Sequence, residues 1–191
     1  MTGIVMLGAP GVGKGTQAAK IVERLGIPAI STGNIFRTNI KAGTELGLLA
    51  KKYIDQGTFV PDSVTTPMVA ARFTADDVKR GFLLDGYPRN LAQAHSLRDI
   101  LAQEGLALDL VIELDAPEEV LVNHMMNRAK KEGRSDDKPE VFARRLAEYR
   151  ERTEPIATYY ADQDLLAVVD GVGTIDEVTA RIFELPVLKG H

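Results

Sequence analysis

The chain contains no cysteine, so it can form neither a disulfide nor a thiolate metal site. A cysteine-free composition fits a cytoplasmic protein. Basic residues are not in excess: 23 Lys and Arg stand against 27 Asp and Glu, for a net charge of −4. That balance gives no electrostatic footprint for nucleic acid or an acidic membrane surface. Long apolar runs are missing too, since nothing approaches the roughly 20 residues of a membrane span. The N-terminus carries no signal pattern, because Gly8 interrupts a run of only four apolar residues, Ile4 to Leu7. No internal repeat and no low-complexity segment occurs. The expectation is a soluble, cytoplasmic protein without nucleic-acid or membrane partners. Its 191 residues, 45% hydrophobic and 26% charged, suffice for one packed domain with small excursions.

Against these absences stands one dense local signal. Gly8-Ala9-Pro10-Gly11-Val12-Gly13-Lys14-Gly15-Thr16 follows the apolar run Ile4 to Leu7 and precedes a helical pattern with Ala18, Ile21, Val22 and Leu25 on one face. Strand, glycine-rich turn and helix are the context a phosphate-binding loop requires. The glycines let the backbone approach a phosphate and turn N–H groups inward, and the helix start adds unpaired N–H groups and a positive dipole end. Lys14 supplies a mobile charge for the outer phosphates. Gly15 stands where Ser or Thr usually follows the lysine, and Thr16 comes one later. The bland alternative is a glycine-rich turn with a surface lysine.

Four further apolar runs read as buried strands: Ala29-Ile30, Phe82 to Leu84, Leu110 to Leu114 and Leu165 to Val169. Their continuous apolarity suits strands covered on both faces, and helical patterns separate them. The pattern predicts an α/β three-layer fold around a parallel sheet of about five strands. Ligands then sit beyond the C-terminal strand ends, at Gly8 onward, Ser31, Asp85, Asp115 and Asp170. Residues 34–42, 46–56 and 63–73 read as helices, and Ser31 to Pro61 as a helical excursion off the sheet. A smaller excursion lies near Lys130 to Pro139. After it, Asp137, Pro139 and Glu140 open a helix with Phe142, Leu146 and Tyr149 as its apolar stripe. Pro155 ends or kinks that helix. Two excursions flanking one phosphate loop suggest two substrates and a closing site.

Four stretches then combine: GAPGVGKGTQ (8–17), STGNIFR (31–37), GFLLDGYPRNLAQA (81–94) and GRSDDKPEVFARRL (133–146). In this order, over residues 3 to about 184, the chain resembles the adenylate kinases, within the nucleoside-monophosphate kinases. The resemblance implies reversible, magnesium-dependent phosphoryl transfer from ATP to AMP, giving two ADP, by a monomer. It divides the chain into a core (1–30, 62–127 and 139–191), an AMP-binding excursion (31–61) and a short lid (128–138). Only five residues separate Arg128 from Arg134, where long-lid members insert a segment often tied by zinc cysteines; no structural zinc is expected.

The resemblance puts Gly11, Val12, Gly13, Lys14, Gly15, Thr16, Arg128 and Gly173 on ATP. His124 stands where an adenine-stacking arginine is usual. On AMP it puts Thr32, Arg37, Thr58, Phe59, Val60, Gly86, Arg89 and Gln93. Lys14, Arg89, Arg134 and Arg145 form the catalytic set, with Arg134 and Arg145 also on the AMP side. Asp136 and Asp137 can orient the lid arginines, or simply cap the next helix. Asp85, ending a core strand beside the phosphate loop, is placed to hold magnesium through bound water, with Thr16 as a second such contact. Asn34 replaces the family's usual Asp. Thr32 and Gln93 favour AMP over the pyrimidine acceptors of the similar UMP/CMP kinases, where Ala and Asn are usual. A nucleotide-binding switch is the alternative of another class.

Overall fold

Every apolar run becomes a strand: β1 (Thr2–Gly8), β2 (Ala29–Ser31), β3 (Gly81–Asp85), β4 (Leu110–Asp115) and β5 (Leu166–Asp170). The computed structural model describes residues 2–132, 136 and 138–189. The strands pair in the order β2-β3-β1-β4-β5, all parallel. Parallel neighbours need crossover connections, and helices supply them: α1 (Lys14–Leu25), α2 (Thr32–Ala42), α3 (Glu45–Ile54), α4 (Asp62–Phe73), α5 (Leu91–Gln103), α6 (Glu118–Glu132), α7 (Pro139–Glu148), α8 (Pro155–Ala161) and α9 (Ile175–Phe183).

The alternation of side chains along β1 divides the core. Ile4 and Met6 point to one face, where they meet Ile21 of α1, Leu121 and Met125 of α6, and Val178 and Ile182 of α9. Val5 and Leu7 point to the other, against Phe73 of α4, Leu97 of α5, and Ile156 and Tyr160 of α8. Each such side chain contributes about 1.5–3 kcal/mol on burial, so the two apolar layers are what hold the sheet between its helices. The expected three layers are thus present. β5 departs from the expectation of cover on both faces: Val168 is 61% exposed. It pairs only with β4 at the sheet edge, where less of the helical layers reaches it.

The helix ends follow their local chemistry. Ser31 caps α2 by accepting the Asn34 N–H at 3.4 Å, Thr44 caps α3 through the Gly47 N–H at 3.1 Å, and Thr174 with Glu177 forms a reciprocal capping box on α9. Pro155 stands at the start of α8, directly after a π-helical turn, Tyr149–Thr153, and the helical residue Glu154. The expected stripe holds in part: Phe142 and Leu146 are buried in the core, whereas Tyr149, at the C-cap of α7, is only partly buried and faces the cleft. Gly133, Arg134 and Asp137 lie outside the described residues, and α7 begins after Lys138.

Helices α2 and α3 pack on each other around a small apolar cluster of Phe36, Ala50 and Val60. Gly47 permits their closeness: a Cβ there would lie 2.2 Å from the Asn39 carbonyl oxygen. Gly47→Ala is expected to destabilise the protein by about 1–3 kcal/mol through overpacking. Chemical denaturation reads this directly; an unchanged midpoint would show that the two helices separate freely.

Candidate active site

The order of the strands brings the C-terminal ends of β1 and β3 side by side, with Met6 in register with Asp85. The loop after β1 therefore lies next to the β3 carboxylate. Gly13 holds φ at 106°, a conformation that favours glycine, and caps α1 without any side-chain hydrogen bond. The first N–H groups of α1 are left for a ligand. Lys14 folds back over the loop, donating to the Gly8 carbonyl at 2.6 Å and the Ala9 carbonyl at 2.9 Å. Burial pushes its ammonium down to about 8; Asp85 opposes that shift, and Arg89, Arg145 and Arg128 add to it. Thr16 lies exposed at the same cleft, and Ser31 Oγ approaches Asp85 at 3.4 Å.

Arg89 follows the turn after β3. Its Nε donates to the Gly86 carbonyl at 2.8 Å, and its guanidinium sits 4.8 Å from the Phe59 ring centre. Burial and the nearby Arg145 lower its pKa to about 10, with Asp85 opposing, so it remains charged at neutral pH. Arg37 donates to Asn34 Oδ1 at 2.6 Å, so the asparagine that stands where the family usually has Asp orients an arginine. Arg145 pairs with Asp136 at 2.7 Å, as the expected orienting role for that aspartate requires.

Two cavities open on these groups. The larger, about 2060 Å³ of open space, runs from Gly11 to Thr16 past Asp85, His124 and Arg128 to Gly173. The smaller, about 600 Å³, is bounded by Thr32, Phe36, Thr58, Val60 and Gln93, among others. Arg37, Phe59, Gly86, Arg89 and Arg145 wall both. The junction between the cavities is thus lined with guanidiniums, an arrangement that suits phosphate groups entering from two sides.

A model of the adenylate kinase family matches residues 6–165. The chain belongs to the adenylate kinase family. It is 53% identical over 184 residues to the adenylate kinase of Pseudarthrobacter chlorophenolicus, covering 96% of each chain. It is 55% identical over 182 residues to that of Renibacterium salmoninarum, covering 95% of this chain and 94% of the relative. To the adenylate kinase of Kocuria rhizophila it is 52% identical over 182 residues, covering 95% and 97%. Membership of the adenylate kinase family makes the chain a nucleoside-monophosphate kinase, a phosphotransferase acting on nucleotides.

Against the adenylate kinase pattern, most of the expected residues meet at the two cavities. Arg134 falls outside the described residues. Thr32 and Gln93, expected to face a base, are both 1% exposed and already engaged. Thr32 Oγ1 donates to the Gly86 carbonyl at 2.9 Å, and Gln93 is bonded to Asp62 and to the Arg89 backbone. His124 reaches the phosphate loop: its Nδ1 lies 3.0 Å from the Gly11 carbonyl oxygen, which can only accept, so Nδ1 carries the proton. Val12 is largely buried beneath the loop, and Gly15 lies exposed at its mouth.

Other contributors carried no motif. Tyr149 lines the larger cavity and donates to Glu113 Oε1 at 3.2 Å, and Thr153 donates to the Arg89 carbonyl at 2.9 Å. Arg181 braces the turn before Gly173 through the Asp170 and Val172 carbonyls, at 2.8 and 2.5 Å. Nothing in their sequence surroundings marks them, since each acts through a partner remote in the chain.

The lowered pKa of Lys14 gives a pH prediction. Without a nucleotide the ammonium loses its proton around pH 8. Bound triphosphate favours the charged form and raises that pKa, so near pH 8 binding takes up a proton. Donor affinity should weaken as pH rises through 8. Calorimetry in buffers of different ionisation enthalpy measures the uptake, which Lys14→Met should abolish while keeping the fold. Equal uptake in both proteins would assign the proton elsewhere.

Proposed function

We propose that the chain transfers the γ-phosphoryl group of ATP, held in the larger cavity, to the phosphate of AMP in the smaller one, yielding two ADP. The observation that carries this reading is the row of Arg37, Arg89 and Arg145 walling both cavities beside the phosphate loop. An oxygen of the AMP phosphate attacks the γ-phosphorus in line, and the bond to the β–γ bridging oxygen breaks, leaving ADP. The attacking oxygen is ionised at neutral pH, so no side-chain base is required. The work of the protein is positioning and charge neutralisation. Lys14 leaves the Gly8 and Ala9 carbonyls for the donor phosphates, Arg37 and Arg89 hold the acceptor phosphate, and Arg145, with Arg134 by resemblance, covers the group in transit.

The residues present fit magnesium carried in with the nucleotide. Asp85 and Thr16 offer one carboxylate and one hydroxyl at the cleft, suited to a hydrated ion held chiefly by substrate phosphates. When bound, the ion screens the donor's β and γ oxygens. In this reading residues 31–61 and the short lid 128–138 close over the junction and exclude water, which would otherwise accept the phosphoryl group. Both cavities and their arginines come from one chain, in keeping with a monomer. A cysteine-free composition suits the cytoplasm.

Incubation with Mg-ATP and each nucleoside monophosphate, followed by quantification of diphosphates, tests the proposal. AMP should be the preferred acceptor, and preference for UMP or CMP would overturn the base assignment. Arg89→Ala should reduce turnover on the order of 10²-fold or more with ATP affinity nearly kept. Lost ATP affinity with normal use of AMP would reverse the two cavities.

A further inference from the structure

The polar groups behind the smaller cavity form a chain in which each fixes the next. Gln93 lines the cavity. Its Oε1 accepts the Arg89 backbone N–H at 2.7 Å, and its Nε2 donates to Asp62 Oδ1 at 2.6 Å. Neither partner can reverse its role, because a peptide N–H only donates and an ionised carboxylate only accepts. Asp62 opens α4 and does not itself line the cavity. It is held in turn by Asn90, whose Nδ2 donates to both carboxylate oxygens at 3.1 and 3.0 Å. The orientation of Asn90 is set by capping α5, where its Oδ1 accepts the Gln93 N–H at 2.8 Å.

An amide free to turn would be a poor discriminator. Rotation about its last side-chain bond exchanges N–H and C=O at little torsional cost. A 6-aminopurine presents a ring-nitrogen acceptor beside an amino donor; a 6-oxopurine presents a ring N–H donor beside a carbonyl acceptor. A turned amide would match the second pattern as well as the untwisted one matches the first. Here turning would set Nε2 against the Arg89 N–H and Oε1 against the Asp62 carboxylate, both unsatisfied in a buried place. Gln93 therefore keeps one N–H and one oxygen lone pair in a fixed order.

We infer that Asp62 is a positioning residue that fixes the polarity of the Gln93 amide, and so selects a 6-aminopurine over a 6-oxopurine as the acceptor base. The inference rests on the reading of the smaller cavity as the AMP site. Asn90 serves the same end by holding Asp62.

The test compares kcat/KM for AMP and for IMP, with Mg-ATP as donor, in wild type, Asp62→Asn and Asn90→Ser. Asparagine at 62 keeps the shape but offers one oxygen where two amides each need an acceptor. Serine at 90 can still cap α5 but loses the amide that holds Asp62. Asp62→Asn should lower kcat/KM for AMP about 10-fold, through KM rather than kcat, and narrow the AMP-to-IMP ratio by about as much. Asn90→Ser should narrow the ratio in the same direction by less, and it decides the matter if Asp62→Asn does not fold. Parallel loss with both acceptors, or an unchanged ratio in the folded variants, overturns the inference while leaving the AMP site standing. If wild type does not prefer AMP to IMP, UMP and CMP, the reading of the cavity itself falls, and the role of Asp62 with it.

Discussion

Mutual repulsion among Lys14, Arg37, Arg89 and Arg145 is the constraint around which this site is built. Charges of one sign gathered in a partly desolvated cleft repel each other, and the lowered pKa values of Lys14 and Arg89 register that repulsion beside the cost of burial. Each of these cations has a local acceptor. Backbone carbonyls of the phosphate loop take Lys14, Asn34 takes Arg37, the Gly86 carbonyl and the Phe59 ring take Arg89, and Asp136 takes Arg145. The acceptors named for Lys14 and Arg89 are neutral, and neutral partners restrain a cation without cancelling its charge.

The fold is what lets so much charge meet. The cations come from the start of α1, the middle of α2, the turn after β3, and α7. Adjacent parallel strands place the first and third of these together, and β2 beside β3 brings the start of α2 alongside. α7 returns from the other side, anchored by Phe142 and Leu146 in the apolar layer that also holds α1 and α6. The apolar layers carry the stability, and the polar strand ends are free to carry the chemistry.

How far the sequence discloses this arrangement depends on range. The five strands are readable because each is a continuous apolar run, even though β5 is left open at Val168, and the phosphate loop because its glycines and lysine act within one turn. The recognition of Arg89 and Arg145 needed the assembled motifs. Asp62 was invisible: its partner Gln93 lies 31 residues away, and a lone Asp before a helix reads as an ordinary first-turn charge. Tyr149 shows the same limit: it sits at helical spacing from Phe142 and Leu146, and no local pattern announces its bond to Glu113, 36 residues away. The same limit hid Gln17, whose buried amide joins α1 to α9 through the Ile175 carbonyl and the Thr179 hydroxyl.

The contact between His124 and the Gly11 carbonyl has a mechanical consequence. It ties α6 to the phosphate loop beside the buried Leu121 and Met125, and the helix continues eight residues further, to Glu132. At 1.5 Å per residue its end lies about 12 Å beyond the contact. A tilt of about ten degrees there displaces that end by roughly 2 Å over this length, about the difference between a hydrogen bond and none. The far end of α6 thus moves further than the helix does at the contact, so any tilt there is felt most at residues 128–132.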